Sequence, residues 1–468
     1  MRIRRAAVAL AALAVLVPAV LPTPALGVPE DPPYPSIEWT VRELANYART
    51  LEAPTEQAAD PRFLARLLEQ SATNTLESLA FPTDSTGNLC ETWGLSCAGD
   101  PFRYPGVDPF YDEVGEVVPV LFPDRQCARL SGRVWAPRDR SPGQRFPGVV
   151  IENGSIQAPE TLYWFFAQAL VRSGYVVLTF DVRGQGRSDN HTPAGEQGSN
   201  ANPSVFWTGL VDAVDFLRST PAVPYPPSAT CPAGGATLAP SNPLGDALDA
   251  ERIGLAGHSL GATGVTVVQS YDPWPGTIGG GGPNPVDAIV AWDSLAAPGR
   301  SGTPPIVPRV PAMGHSSEYG IAGAPYIEPP DPEADLGAFR AWAAAGVPVF
   351  QETPAGSTHF EWSLIPAFPT SSWTTGWNPQ ATVDSVAWLD RWLKRPGEPG
   401  HDDADARLLD DTDRCAALSF HLRSARHFPD RAGTVHESGD IRADCLATSV
   451  VEPAQPSGPS GPSGPPGP

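Results

Sequence analysis

The clearest fold signal in the chain is the segment RIGLAGHSLGATGVTVVQS, residues 252–270. It opens with an apolar run typical of a buried strand, and an apolar helical pattern begins near Ala262. The motif Gly257-His258-Ser259-Leu260-Gly261 lies between them. Glycines without Cβ atoms let a strand and a helix pass close together at a sharp turn. The pattern therefore predicts a nucleophile elbow that projects Ser259 toward solvent.

Strand and helix patterns alternate on the N-terminal side of this motif. The run FPGVVIENGS (146–155) is an apolar strand that ends at a glycine turn, a helical pattern extends from Pro159 to Arg172, and YVVLTF (175–180) is a second strand. Alternation of this kind indicates a mainly parallel sheet with helices on both faces. Because a strand, an elbow and a helix follow in the required order, the predicted fold class is α/β, specifically the α/β-hydrolase fold.

The first residues predict export. Three arginines precede an apolar run that ends at small residues, which is the pattern of a secretory signal peptide over 1–27. Two prolines interrupt the run, and it is shorter than the roughly 20 residues that a membrane-spanning helix needs. We expect a secreted protein that keeps no integral membrane segment after the signal is removed.

Proline content and charge divide the rest of the chain. The predicted zones are a helical N-terminal extension over 28–110, an α/β-hydrolase catalytic domain over 111–396 and a charged C-terminal segment over 397–450. Within the last zone, ALSFHLRSARHF has the pattern of a short hairpin. The Pro/Gly/Ser tract at 451–468 cannot bury apolar surface and is predicted to be disordered.

The charge balance excludes several classes of partner. The formal net charge is −21 at pH 7, and the chain contains one lysine, Lys394. Nucleic acids and anionic lipids attract clustered basic residues, so neither is an expected partner. The sequence contains no Cys-x-x-Cys motif, and the spacing of its histidines does not indicate a metal. We expect no metal and no cofactor, and the oligomeric state stays open.

The six cysteines permit three disulfides in an exported chain. A small loop favours Cys90 with Cys97, and a staple of the C-terminal segment favours Cys415 with Cys445. Elimination then pairs Cys127 with Cys231.

A serine nucleophile needs a histidine to take its proton, and in this fold class the order along the chain is serine, acid, histidine. His359 follows the predicted strand VPVFQETP and a short turn, which suits a loop residue that reaches back over the sheet edge. His315 follows an earlier strand, where the class more often places the acid. The order favours His359 over His315.

Two carboxylates stand at the ends of strands after the elbow. Asp293 follows VDAIVAW, and Glu318 lies in the next strand's loop, GHSSE. Either one keeps the order serine, acid, histidine. Spacing alone leaves the acid undecided between them.

Four blocks, IGLAGHSLGAT, AIVAWDSLAAP, SSEYG and GSTHFEWS, resemble those of the secreted (plasma-type) platelet-activating-factor acetylhydrolases. They are also similar to bacterial PET-hydrolase-like and dienelactone-hydrolase-like esterases. The acetylhydrolase resemblance implies that Asp293 is the triad acid, whereas the PET-hydrolase resemblance keeps Glu318 as the fallback. The resemblance covers about residues 117–394.

Two backbone N–H groups are expected to bind the oxyanion. One belongs to Leu260, directly after the nucleophile, and the other to Ser155, in the loop after the first core strand. Relatives usually carry His-Gly in that loop, and Glu152-Asn153-Gly154 departs from this pattern.

These residues predict a secreted serine esterase of lipase type that cleaves small-molecule or lipid esters through Ser259, His359 and Asp293 and an acyl-enzyme. A serine peptidase is the first alternative, since the same triad cleaves amides. A secreted binding module that keeps the fold without the chemistry is the second.

Overall fold

The computed structural model describes residues 31–51, 55, 59–80, 97–155, 158–199, 201–321, 323–364 and 377–449. The predicted signal peptide and the C-terminal tract lie outside these residues, as does Cys90. Within the described ranges, no helix is both long enough and apolar enough to cross a bilayer.

A single mixed sheet forms the centre of the described chain. Its strands are β1 Gly115–Pro123, β2 Arg129–Pro137, β3 Phe146–Glu152, β4 Val176–Phe180, β5 Leu248–His258, β6 Val286–Trp292, β7 Ala312–His315, β8 Val349–Glu352, β9 Ala425–Pro429 and β10 Val435–Ser438. The spatial order is β1-β2-β4-β3-β5-β6-β7-β8-β9-β10. The six strands from β4 across to β8 pair in parallel, and the outer strands at both edges pair antiparallel. This sheet confirms the predicted α/β-hydrolase fold.

Helices cover the sheet, and further helices precede its first strand in the N-terminal extension. In chain order they are α1 Ile37–Ala48, α2 Pro61–Ala80, α3 Phe110–Glu113, α4 Trp164–Arg172, α5 Val205–Arg218, α6 Pro226–Thr230, α7 Leu260–Val268, α8 Gly337–Ala344, α9 Trp377–Leu393, α10 Ala404–Leu409, α11 Arg414–Ala417 and α12 Ile441–Ser449. Short 3₁₀ turns at Arg49–Leu51 and Glu160–Tyr163 extend α1 and precede α4. The predicted helical character of the N-terminal extension is confirmed by α1 and α2.

Two clusters of buried apolar side chains lie on opposite faces of the sheet. Adjacent residues of β3 belong to different clusters. Val150 lies in the cluster under α5, α7 and α8, and Val149 lies in the cluster under α4 and α9. Side chains alternate across a strand, so a strand buried on both faces reads as a continuous apolar run. This is why 146–152 is apolar at nearly every position.

The C-terminal segment adds two strands to the same sheet. Its hairpin consists of β9 and β10 and begins at Ala425, later than the run at 417–428 in which the sequence pattern placed it. The shift follows from tertiary pairing, because β9 aligns with β8 at the sheet edge. The disulfide Cys415–Cys445 closes this segment, and Cys127–Cys231 closes a loop on the other side of the molecule. Both predicted pairs are confirmed.

Candidate active site

Ser259 occupies a strained turn between β5 and α7. Its backbone has φ 59° and ψ −118°, a conformation that costs a residue with a Cβ atom about 1–3 kcal/mol. The two flanking glycines make the turn possible. A Cβ atom on Gly257 would lie 2.4 Å from the Gly261 carbonyl oxygen, and one on Gly261 would lie 2.5 Å from the Asn153 carbonyl oxygen. The sequence therefore folds here as an elbow because only glycine fits on both sides of the serine.

The two segments that carry the predicted oxyanion donors are in contact, since a Cβ atom on Gly261 in the elbow would lie 2.5 Å from the Asn153 carbonyl oxygen in the loop after β3. Leu260 is the first residue of α7, where backbone N–H groups have no acceptor within the helix and the helix dipole favours negative charge. The Gly154 N–H, in the loop after β3, donates to the Tyr163 hydroxyl at 3.0 Å. This bond leaves the next amide, that of half-buried Ser155, as the candidate donor from this loop.

His359 and Asp293 are in direct contact. The Nδ1 atom of His359 lies 2.5 Å from Oδ2 of Asp293, and both side chains keep slight solvent exposure. Ser317 holds the same carboxylate through its backbone N–H at 2.8 Å and its hydroxyl at 2.9 Å. Burial alone would raise the pKa of Asp293, but the hydrogen bond and charge of His359 and the Ser317 N–H outweigh it and lower that pKa below its ordinary value.

This pair has the geometry of an ionised carboxylate that orients an imidazole. Among the described residues, no hydrogen bond of 3.5 Å or less joins the Ser259 hydroxyl to His359. Such bonds are often long in unliganded enzymes and tighten in the substrate complex.

Glu318 does not contact His359. Its buried carboxylate accepts from the Gly356 N–H at 2.5 Å, from Asn46 Nδ2 at 2.6 Å and from the Ser419 hydroxyl. Burial raises the pKa of Glu318 above its usual range despite these donors. The structure thus brings only one of the two candidate acids to the histidine and places the other in a network behind the histidine loop.

His315 lies fully buried at the end of β7, where its carbonyl oxygen accepts from the Asp293 backbone N–H at 3.0 Å. Its Nδ1 accepts from the Trp362 indole N–H at 3.2 Å, and burial lowers its pKa to about 3. With its pKa lowered in this way, the His315 ring is neutral near pH 7.

The aromatic side chains near the site are mostly core. Phe165, Trp292 and Trp362 are buried and line a small apolar slot together with Ala381 and Thr382. The residues that follow Leu364, at 365–376, lie outside the described residues.

Three buried groups at this site had no assigned role in the sequence. Glu152, at the end of β3, is fully buried and neither carboxylate oxygen has a hydrogen-bond partner. Burial raises the pKa of Glu152 well above its usual range. Tyr163 and His258 are hydrogen-bonded to each other at 2.9 Å. The one signal in the sequence for these three residues was Glu152, which stands in the loop where relatives usually carry His-Gly.

No group of three or more His, Cys, Asp or Glu side chains within the described ranges has an arrangement that could hold a metal.

No protein-family model and no curated protein matches the sequence. Among solved structures, the chain is similar to a provisionally named dipeptidyl aminopeptidase IV from Bacteroides ovatus, with 12% sequence identity and a TM-score of 0.38. The match covers 61% of this chain and 37% of that one, so the chain spans little more than a third of the matched structure. The fold of this chain is defined by its own sheet order and by the elbow at Ser259.

Proposed function

We propose that this protein is a secreted serine hydrolase that cleaves carboxylic esters through an acyl-enzyme. The observation that carries the proposal is the 2.5 Å contact between His359 and Asp293, in a molecule that also holds Ser259 in a strained strand-to-helix turn. A conformation that costs free energy persists only where the surrounding structure enforces it, and such positions cluster at functional sites.

The mechanism follows from the roles these groups can play. The Ser259 hydroxyl attacks the ester carbonyl while His359 Nε2 takes its proton, and Asp293 stabilises the imidazolium. The amides of Leu260 and Ser155 bind the oxyanion of the tetrahedral intermediate. His359 then protonates the departing alcohol, and water, deprotonated by His359, releases the acid and regenerates Ser259. No step needs a cofactor.

Esters are proposed ahead of amides because the blocks around Ser259, Asp293 and His359 resemble those of esterases. Peptidase activity on the same groups is the competing function. Turnover of p-nitrophenyl esters from acetate to palmitate, measured beside aminoacyl p-nitroanilides, separates the two. We expect ester turnover to exceed anilide turnover. The preferred acyl chain length then indicates the size of the acyl pocket.

The matched variants for this experiment are Ser259→Ala and Ser141→Ala, the second at an exposed loop serine. Loss of ester turnover in the first alone supports the proposal. Equal turnover by wild type and Ser259→Ala would refute it, and a protein without ester or anilide turnover would favour the binding-module alternative.

Export is proposed from the signal-like pattern at 1–27. The two disulfides fit this compartment, because disulfides form and persist in oxidising environments. N-terminal sequencing of the exported protein is expected to begin near residue 28, and a mature chain that begins at Met1 would contradict it.

A further inference from the structure

Three hydrogen bonds in series join the loop after β3 to the backbone of His359. The Gly154 N–H donates to the Tyr163 oxygen at 3.0 Å, Tyr163 Oη lies 2.9 Å from His258 Nδ1, and His258 Nε2 lies 2.7 Å from the His359 carbonyl oxygen. One end of this series is the loop that carries the Ser155 amide. The other end is the main chain of the histidine that contacts Asp293.

The protons in this series can be assigned from the two ends. A peptide N–H can only donate and a carbonyl oxygen can only accept, so His258 Nε2 carries a hydrogen that points to His359. Burial, and then the charge of His359, lower the pKa of His258 to about 3, so its other nitrogen has no hydrogen at neutral pH. Tyr163 therefore donates its hydroxyl hydrogen to Nδ1 and accepts the Gly154 N–H.

Packing holds the series in place. Tyr163 is fully buried and His258 is 2% exposed. A Cβ atom on Gly154 would lie 3.1 Å from the Tyr163 oxygen and 3.2 Å from His258 Nδ1, so the pair lies directly against the loop. The loop cannot rotate its N–H away without leaving a buried donor unpaired, which is unfavourable.

The electrostatics suit a position beside a catalytic base. The ring centres of His258 and His359 are 4.8 Å apart. A second cation at this distance would oppose the imidazolium that forms on His359 during acyl transfer. A histidine held as its neutral tautomer gives a fixed hydrogen bond without that repulsion.

We propose that Tyr163 and His258 are positioning residues that hold the oxyanion loop and the base in register with each other. The inference rests on the proposed function of Ser259 and His359. The hydrogen bonds of the two side chains go to the Gly154 N–H, to each other and to the His359 carbonyl oxygen. The pair acts through the Gly154 N–H, which sets the orientation of the Ser155 amide, and through the His359 carbonyl, which sets the depth of the imidazole.

The test uses kinetics of the full-length protein with p-nitrophenyl acetate. Tyr163→Phe removes the hydroxyl alone. His258→Gln keeps an N–H donor for the His359 carbonyl and removes the acceptor at Nδ1, so both changes break the same bond. Tyr175→Phe is the matched control, because Tyr175 is equally buried and its hydroxyl donates to Asp390 at 2.7 Å, outside this series.

Each single variant is expected to lower kcat by about 10- to 100-fold while KM stays within about threefold, since the loss is one of geometry and not of substrate binding. The double variant should lose no more than about twofold beyond the more severe single variant, because one shared bond can be lost only once. Tyr175→Phe should keep kcat within about twofold even where its melting temperature falls.

Losses that multiply in the double variant would overturn the proposal, as would singles whose kcat stays within about twofold of wild type. Thermal melting identifies a variant that does not fold, and the remaining single variant then decides the point. Ester turnover by Ser259→Ala would instead refute the proposed function, whatever these variants do.

Discussion

Among single residues, the two candidate acids differ in their hydrogen-bond partners. Asp293 faces an imidazole and the two donors of Ser317, which keep its charge. Glu318 faces an amide, a hydroxyl and a peptide N–H. These contacts favour Asp293 as the acid and give Glu318 a structural role.

Exchanging each carboxylate for its amide is expected to separate these roles. Asp293→Asn should lower kcat by about 10³- to 10⁴-fold, because an amide in this position no longer holds the required tautomer of His359. Glu318→Gln should lower kcat less than about tenfold and act mainly on the melting temperature. Steady-state kinetics with p-nitrophenyl acetate and thermal melting measure both. A larger kcat loss in Glu318→Gln would reverse the assignment.

The buried His315 is expected to make the fold sensitive to acid. Its pKa is about 3 in the folded protein and near 6.5 in the unfolded chain, so between these values the unfolded state binds more protons and folding weakens as the pH falls. His315→Asn keeps an acceptor for Trp362 and removes this titration. The variant should have a lower free energy of unfolding than wild type at pH 8, and the difference between the two should become smaller toward pH 4. Urea unfolding across this range measures it, and a constant gap would contradict the argument.

Among the elements, α1 buries two polar side chains, Glu43 and Asn46, beside Trp39. Glu43 accepts from the Tyr326 N–H at 2.6 Å and lies 2.6 Å from His421 Nε2, while Asn46 donates to Glu318.

A Cβ atom on Gly356 would lie 2.8 Å from Arg49 Cβ, so the end of α1 rests on the turn before His359. The N-terminal extension is thus part of the support for the histidine loop.

Removal of this support is tested by Asn46→Ala. The change leaves the buried Glu318 carboxylate with one donor fewer, which should lower the free energy of unfolding by about 1–3 kcal/mol. Glu38→Ala, at an exposed position of the same helix, is the control and should stay within about 0.5 kcal/mol of wild type. Denaturant unfolding compares them. Equal stability of both variants would show that α1 does not brace the loop.

The orientation of α1 also shows where sequence reasoning stops. Helical periodicity predicts the helix itself, but it would bury the apolar stripe of Ile37, Val41 and Leu44, which is exposed. The elbow was predictable because two glycines, a strand and a helix are local signals. The choice between Asp293 and Glu318 was not, because both precede His359 and only the tertiary contacts differ. Tyr163 and His258 were missed for the same reason.

At the scale of the whole molecule, a continuous sheet joins zones that composition divides. The parallel core lies in the predicted catalytic zone, whereas β9 and β10 come from the C-terminal segment and complete its edge. Disulfides then close loops of very different length. The sequence separation is 104 for Cys127–Cys231 and 30 for Cys415–Cys445.

The longer loop is expected to stabilise the fold more. In the chain-entropy model the disulfide that closes the shorter loop contributes about 3–4 kcal/mol. The one that closes the longer loop contributes about 1 kcal/mol more. The paired serine variants Cys127→Ser with Cys231→Ser and Cys415→Ser with Cys445→Ser test this by guanidinium unfolding. A greater loss of stability from the C-terminal pair would contradict the ranking and point to native-state contacts there.

We propose that Ser259 is the acyl-accepting nucleophile of this molecule. The most direct test is mass spectrometry of the full-length protein after reaction with a fluorophosphonate, with the modified peptide sequenced. We expect one adduct per molecule, located on Ser259, with labelling strongly slowed in His359→Ala and abolished in Ser259→Ala. An adduct on another serine, or labelling that persists in Ser259→Ala, would show that a different residue is the nucleophile.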